Sequence, residues 1–470
     1  MTELFEPSAL FEPSALFETP ALFEPSALFE TPALFELSAP RSAQAHLVDS
    51  GDGRHLLVPN GNRLYRVDAA TYTQLDDLLD SGDSAALGAL LTRLGVDAPR
   101  YVDDAAPEQP PVRALSLAVA QKCNLGCTYC YAQGGSFGGP ATSMALDTAL
   151  ASVDLLFSDV GPGERVNLSF LGGEPLMNRP VIHAATERAR AIATERGVDV
   201  TFSITTNGTQ LTAADGDFFE EHGFAVTVSL DGAGSAHDLL RPFRSGRGSF
   251  DQVIERVTPL LHRQRRMQVS ARVTVTPVNL QLKQTLDAFV ALGFHSVGFS
   301  PLLRSPTGSH ELSRPDLAAM LDEMVSCGAE FERQVVAGRR YPFANAVTAM
   351  REIHRGTHRP YPCGAGAGYL GVSAGGELAA CHRFVGDDDG ALGDLVDGVD
   401  RERQARWLSE RHVHRQEPCR SCWARYLCGG GCHHEVIARG RPACDYIRGW
   451  LHWCLGAYAR LAEQRPDYFR

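Results

Sequence analysis

Gln121-Lys-Cys-Asn-Leu-Gly-Cys-Thr-Tyr-Cys-Tyr131 is the stretch on which the reading of this 470-residue chain turns. Cys123, Cys127 and Cys130 have the spacing C-x3-C-x2-C. Three thiolates on one short loop can hold three irons of a [4Fe–4S] cube and leave the fourth iron open to a small chelating molecule. A three-cysteine zinc site is the alternative that this spacing alone leaves standing.

Composition narrows the choice. The chain has 12 cysteines, and no basic, apolar and cleavable segment marks its N-terminus as a secretory signal. No apolar run approaches the roughly 18 residues that signal a membrane span. Metal ligation in a cytoplasmic protein is therefore expected, rather than a disulfide framework. The formal charge of −12 argues against a partner with a phosphate backbone.

Residues 4–39 are six tandem hexads, from Leu4-Phe-Glu-Pro-Ser-Ala9 to Leu34-Phe-Glu-Leu-Ser-Ala39, and proline stands in five of them. Proline interrupts helix and sheet alike, so residues 1–44 are expected to form a disordered or loosely extended arm. A functionless repeat expansion, a tether and a substrate segment carried in cis are its possible uses. Residues 45–105 read as a small domain. His55–Pro59 and Asn62–Val67 are strands around a Pro-Asn-Gly-Asn turn, and Ala69–Leu79 and Ser84–Leu94 have helical spacing. This order resembles the winged-helix-like peptide-recognition element of peptide-modifying enzymes, where a leader peptide adds a strand to the sheet edge. Ala105–Pro111 is the expected linker.

From 113 to 310, strands alternate with helices. The strands are Leu115–Val119, Val166–Leu171, Val200–Thr205, Ala225–Leu230, Val269–Thr276 and Ser296–Leu302. The helices cover 142–158, 178–196, 212–222, 250–265 and 281–292. Such alternation predicts an α/β fold, a partial (β/α)6 barrel of parallel strands with its ligands at the C-terminal strand ends. Residues 311–360 read as a helical bridge. Residues 361–448 have little periodicity, as expected of a segment folded around metal, and 444–463 as a closing helix within 361–470.

Further motifs fall at strand ends. Phe170-Leu-Gly-Gly-Glu-Pro175 follows the second strand, Thr205-Thr-Asn-Gly-Thr209 the third and Val228-Ser-Leu-Asp-Gly232 the fourth. His237-Asp-Leu-Leu-Arg241 comes next. With the cysteine loop, this succession resembles radical S-adenosylmethionine (SAM) enzymes, in which the open iron chelates SAM and an electron cleaves it to a 5′-deoxyadenosyl radical. The resemblance implies that Gly172, Gly173 and Glu174 bind the methionine amino group, Ser229 the ribose, Arg241 the methionine carboxylate and Leu302 the adenine. Tyr129 and Gly173 would line that pocket, and Arg272 is a further candidate cation. Asp231-Gly232 reads as a turn.

Toward the C-terminus, Cys363 precedes Gly376-Glu-Leu-Ala-Ala-Cys381, and Cys419, Cys422, Cys428, Cys432 and Cys444 follow. These seven cysteines resemble the SPASM domain of one radical SAM branch. The resemblance implies two auxiliary [4Fe–4S] clusters. Cys363, Cys381 and Cys432 would hold one, and Cys419, Cys422, Cys428 and Cys444 the other. Thr357 stands where some relatives carry an eighth cysteine, so either Cys327 or Cys454 completes the first auxiliary cluster or an iron stays open. Cys327 reads as a core residue, and His433 and His434 as supporting or surface residues.

The Cys428-Gly-Gly-Gly-Cys-His-His and Cys444-Asp-Tyr-Ile-Arg-Gly-Trp segments resemble cross-linking maturases, including the quinohemoprotein amine dehydrogenase maturation type. The resemblance implies a peptide maturase that installs a C–C (cyclophane-type) or C–S (thioether) crosslink in a ribosomal precursor. The precursor's leader would dock on residues 45–105, and a flavodoxin or ferredoxin would supply electrons. The alternatives are a formylglycine-forming anaerobic sulfatase maturase, whose aspartate after the second SPASM cysteine is His382 here, and a catalytically silent peptide-binding scaffold.

Overall fold

The computed structural model describes residues 31–470. The first helix, α1 (Thr31–Leu37), corrects the expectation of an extended arm over its last part; residues 4–30 of the repeat lie outside the described residues. The sixth hexad is the one without proline. Leu37 stands where other hexads carry proline or threonine, so its amide remains available to a helix. Leu34 is buried, and the helix lies on the closing helix α15 (Cys444–Gln464) and on α10 (Arg314–Val336).

Three antiparallel strands follow in the order β1 (His46–Asp49), β2 (Arg54–Val58) and β3 (Arg63–Val67). Helices α2 (Ala69–Ser81) and α3 (Ser84–Arg93) cover one face, burying Leu47, Leu56, Leu75, Leu87 and Leu90. Asp68 and Asp83 cap the two helices by accepting from first-turn amides. β1 was not foreseen, because His46-Leu-Val-Asp49 is too short to show alternation.

The main sheet has 11 strands. Six are parallel and successive: β4 (Ala114–Gln121), β6 (Arg165–Gly172), β7 (Asp199–Thr206), β8 (Ala225–Ser229), β9 (Gln268–Val275) and β10 (Val297–Pro301). The short β5 (Thr142–Ser143) pairs with β4. Helices α4 (Leu146–Leu156), α5 (Arg179–Arg196), α6 (Ala213–His222), α7 (Ser235–Leu240), α8 (Phe250–Arg263) and α9 (Leu282–Ala291) provide the crossovers. Alternate residues of β9 are fully buried against this helical layer (Val269, Ala271, Val273, Val275), while Arg272 and Thr274 face the hollow inside.

The C-terminal segment contains more regular structure than its sequence shows. β11 (Tyr369–Val372) adds to β4 in parallel, and β12 (Glu377–Ala379), β13 (Ala391–Asp394) and β14 (Gly398–Val399) continue the sheet antiparallel. Strands of two to four residues carry no readable period. This segment therefore grows out of the barrel edge, and helices α11 (Ala344–His354), α12 (Arg401–Arg411), α13 (Arg425–Cys428) and α14 (His433–Arg439) complete it.

The N-terminal domain is fastened to that segment, not held on a free linker. Trp423 Nε1 donates to Ser38 O at 2.9 Å and Arg425 to Ala43 O at 2.7 Å. The Gly61 amide donates to His358 Nε2 at 2.6 Å, and Arg460 donates to Ser50 O at 2.9 Å.

Candidate functional site

The cysteine loop follows β4 and is clamped by close backbone approach. A Cβ on Gly172 would lie 2.3 Å from Ala120 O, and one on Gly173 2.3 Å from Lys122 O. The two glycines are thus needed where β6 ends against the loop. Glu174 is fully buried, and its carboxylate accepts from Leu176 N (3.1 Å), Thr206 Oγ1 (2.7 Å) and Asn207 N (2.7 Å). It braces the ends of β6 and β7. Asn207 then reaches Asn124 Oδ1 at 2.9 Å and Cys123 Sγ at 3.6 Å, and Leu125 N points at the same sulfur at 3.4 Å. Donors aimed at sulfur favour a thiolate.

Tyr129, Asp231 and Arg241 form a second group. Arg241 donates to Tyr129 Oη at 2.7 Å and stands 3.5 Å from Asp231, to which the Tyr129 hydroxyl also donates. Asp231 is fully buried, and its Oδ1 accepts from Thr274 N at 2.8 Å. His237 and Ser249 hold the backbone on both sides: His237 Nδ1 accepts from Asp231 N at 3.2 Å and Ser249 Oγ donates to Arg241 O at 2.6 Å. The sequence reading of Asp231 as a turn residue is corrected here. It is the counter-charge of Arg241, a role decided by residues far apart in the chain. Tyr129, Leu240 and Leu302 pack into one apolar cluster beside this group. Ser229 ends β8 in register with Arg272 of β9.

All twelve cysteines are free thiols. Burial, opposed by the Arg241 guanidinium and aided by Cys130 and Cys123, pushes the Cys127 thiol up to about 12. Burial also raises Cys363, and it pushes Cys381 up to about 12; Cys432 stands close enough to oppose the ionisation of both. Cys419 is likewise pushed up to about 12 by burial, with Cys428, Cys444 and Cys422 adding to the shift. The fold therefore gathers the thiols into three sets, and buried sulfurs so disposed ionise when a metal supplies the positive charge. Among the described residues, no three His, Cys, Asp or Glu side chains converge closely enough for a single ion. Thiolates that cap separate irons of a cube stand further apart than that. Cys327 and Cys454 are fully buried in the core, and neither is among the groups that act on Cys363 or Cys381.

A cavity of about 650 Å3 joins these groups. Tyr129, Tyr131, Arg272, His382 and Tyr446 line it, as do cysteines of both C-terminal sets. His382 shares a hydrogen bond of 2.7 Å with Tyr369, whose hydroxyl lies 2.8 Å from Ser116 Oγ. Burial pushes this imidazole down to about 4, so it is neutral near pH 7. Tyr369 carries no signal along the chain, because β11 is too short to show a period.

The parallel strands β4 and β6 thus end beside the three-cysteine loop. Residues 117–300 match the Radical SAM superfamily model. The chain carries a radical SAM domain, for which SAM and a [4Fe–4S] cluster are the cofactors, and it is an enzyme. A serine-type anaerobic sulfatase-maturating enzyme of Klebsiella aerogenes is 26% identical over 352 residues, 72% of this chain and 83% of the relative. The radical SAM cyclopropyl synthase TigE of Paramaledivibacter caminithermalis is 19% identical over 378 residues, 76% of each chain. Among solved structures, native anSMEcpe with bound AdoMet aligns with a TM-score of 0.61 at 19% identity, covering 76% of this chain and 99% of that one. Streptococcus suis SuiB bound to the precursor peptide SuiA aligns with a TM-score of 0.50 at 15% identity, over 85% and 97%. Among the described residues, no helix is long and apolar enough to cross a membrane.

Proposed function

We propose that this chain is a cytoplasmic peptide maturase that installs a C–C or C–S crosslink in a ribosomally made precursor. Loaded with SAM, the Cys123/Cys127/Cys130 cluster supplies hydrogen-atom abstraction from an unactivated carbon. Gly172, Gly173, Glu174, Ser229, Arg241 and Leu302 with Tyr129 hold SAM, and the Asp231 carboxylate keeps Arg241 oriented. Cys363, Cys381 and Cys432 would hold one auxiliary cluster, and Cys419, Cys422, Cys428 and Cys444 the other, and such clusters would supply an acceptor for the second electron. A flavodoxin or ferredoxin delivers the first.

The observation that carries this reading is the three-stranded domain fastened over the auxiliary segment. Its strand β3 is an outer strand, paired on one side by β2. An unpaired edge accepts an extended peptide by main-chain hydrogen bonds, so the precursor's leader docks on residues 45–105 while its core enters the cavity. A relative named for sulfatase maturation and a structural neighbour solved with a bound precursor peptide support a peptide or protein substrate.

Formylglycine formation on one Cys or Ser is the second reading, favoured by the likeness to sulfatase-maturating enzymes over 72% of the chain. His382, neutral and in the cavity wall, would accept the proton there. Mass spectrometry separates the two. The reconstituted full chain is incubated with SAM, reductant and the short open reading frames adjacent to its gene, expressed as peptides. Loss of two hydrogens with fragmentation that shows two residues joined, and no aldehyde that forms a hydrazone, supports the crosslink, because serine-derived formylglycine loses two hydrogens as well. Formylglycine, or a small-molecule product with no peptide change, overturns it.

A further inference from the structure

Several guanidinium groups around the cavity have carboxylate partners, and Arg272 inside the barrel has none among the described residues. Arg241 faces Asp231, and Arg383 pairs with Glu435 at 2.9 Å and reaches Cys432 Sγ at 3.5 Å. Arg448 pairs with Asp445. Arg441 lies beside the Cys419 and Cys444 thiols. Arg272, midway along β9, has no such partner among the described residues. Its Nη2 donates to the Ser300 hydroxyl, a neutral acceptor, and the one ionisable group near enough to favour its charge is the Tyr446 phenol.

Its place is built. A Cβ on Gly298 of the adjacent strand would lie 3.2 Å from Arg272 Nη1, so the glycine leaves room for the guanidinium. Asn345, the next wall residue, is committed to the β10 backbone through both its amide atoms: Nδ2 to Phe299 O at 3.0 Å and Oδ1 from Phe299 N at 2.9 Å. The side chain keeps accessible surface on the cavity wall while surrounding protein desolvates it and lowers its pKa. A guanidinium on a cavity wall without a counter-ion is free to pair with an anion that a ligand brings.

We infer that Arg272 is a substrate-positioning cation that pairs with a carboxylate of the molecule entering the cavity. The planar fork suits two parallel hydrogen bonds to a carboxylate. The source is an acidic side chain next to the modified residue or a chain-terminal carboxylate. SAM also carries a carboxylate, but Arg272 is held at Ser300 of β10 and shares the cavity wall with Tyr446 of the closing helix, whereas Arg241 is bonded to Tyr129 of the cysteine loop. This inference rests on the peptide-substrate reading above for the identity of the molecule, not for the presence of the site.

The test is protection of Arg272 from phenylglyoxal, followed by peptide mapping of the cluster-loaded full chain. With SAM bound, Arg272 reacts. N-acetylglutamic acid α-amide or N-acetylglycine at millimolar concentration slows that reaction about tenfold, as a charge-assisted pair of about 1.4 kcal/mol would. The neutral N-acetylglutamine α-amide leaves it unchanged. Protection by the first probe alone identifies a side-chain carboxylate, and protection by the second alone a chain terminus. Protection by SAM itself, protection by neither carboxylate, or no reaction of Arg272 even without SAM overturns the inference. A chain that modifies no peptide yet shows this protection would sink the peptide reading and keep the anion site.

Discussion

Arg241 donates to the Tyr129 hydroxyl oxygen at 2.7 Å, which joins this largely buried cation to the residue just before Cys130. Asp231, reached by both, balances the charge from within the core. Removing that carboxylate leaves a guanidinium without its counter-ion. Asp231→Asn is expected to cost about 3 kcal/mol in urea titration and to weaken SAM binding. Tyr129→Phe, which leaves the ion pair in place, should cost about 1 kcal/mol. Equal losses in the two variants would contradict the assigned roles.

Changing Cys123, Cys127 and Cys130 together to alanine should abolish 5′-deoxyadenosine formation. Iron should fall from about 12 to about 8 atoms per chain, if each of three thiol sets holds a four-iron cube. Zinc in place of iron at Cys419, Cys422, Cys428 and Cys444 would refute the auxiliary clusters.

Cys327 and Cys454 are core residues by their burial. Cys327→Ala and Cys454→Ala should each keep the full iron content and lose about 1 kcal/mol of stability through the small cavity left. Loss of iron in either would show that a distant thiol closes the first auxiliary cluster.

Trp423 directly follows Cys422 and is fastened by the carbonyl of Ser38. Leu34→Ala, in the helix that ends just before Ser38, should cost about 2 kcal/mol. It should also speed iron loss to a chelator from the second auxiliary set, with the first cluster unaffected. Uniform iron loss from all sets would mean general unfolding instead.

His46 Nε2 and His452 Nδ1 lie 2.9 Å apart, both buried, at the junction of the N-terminal domain and the closing helix. Burial pushes His46 well down and His452 down to about 4. A depressed imidazole takes up its proton in the unfolded chain first, so its stability is complete above about pH 6.5 and is lost as pH falls toward 4. The stability of the native chain relative to His452→Gln should therefore decline by up to about 3 kcal/mol across that window. A difference that stays flat from pH 7 to pH 4 would contradict the buried neutral pair.

The order of parallel strands and helices from 113 to 310 was legible in the sequence because each is long enough to repeat its period. The cysteine sets were legible because ligand spacing is a local property. Tertiary structure decided the rest. Strands β11 to β14 are too short to carry a pattern and exist because the edge of β4 offers them partners. α1 runs from Thr31-Pro32 of the fifth hexad into the proline-free sixth, where α15 offers an apolar surface to Leu34. Asp231, Tyr369 and Arg272 gain their roles from side chains on other strands, and no spacing along the chain encodes which charges face one another across a barrel.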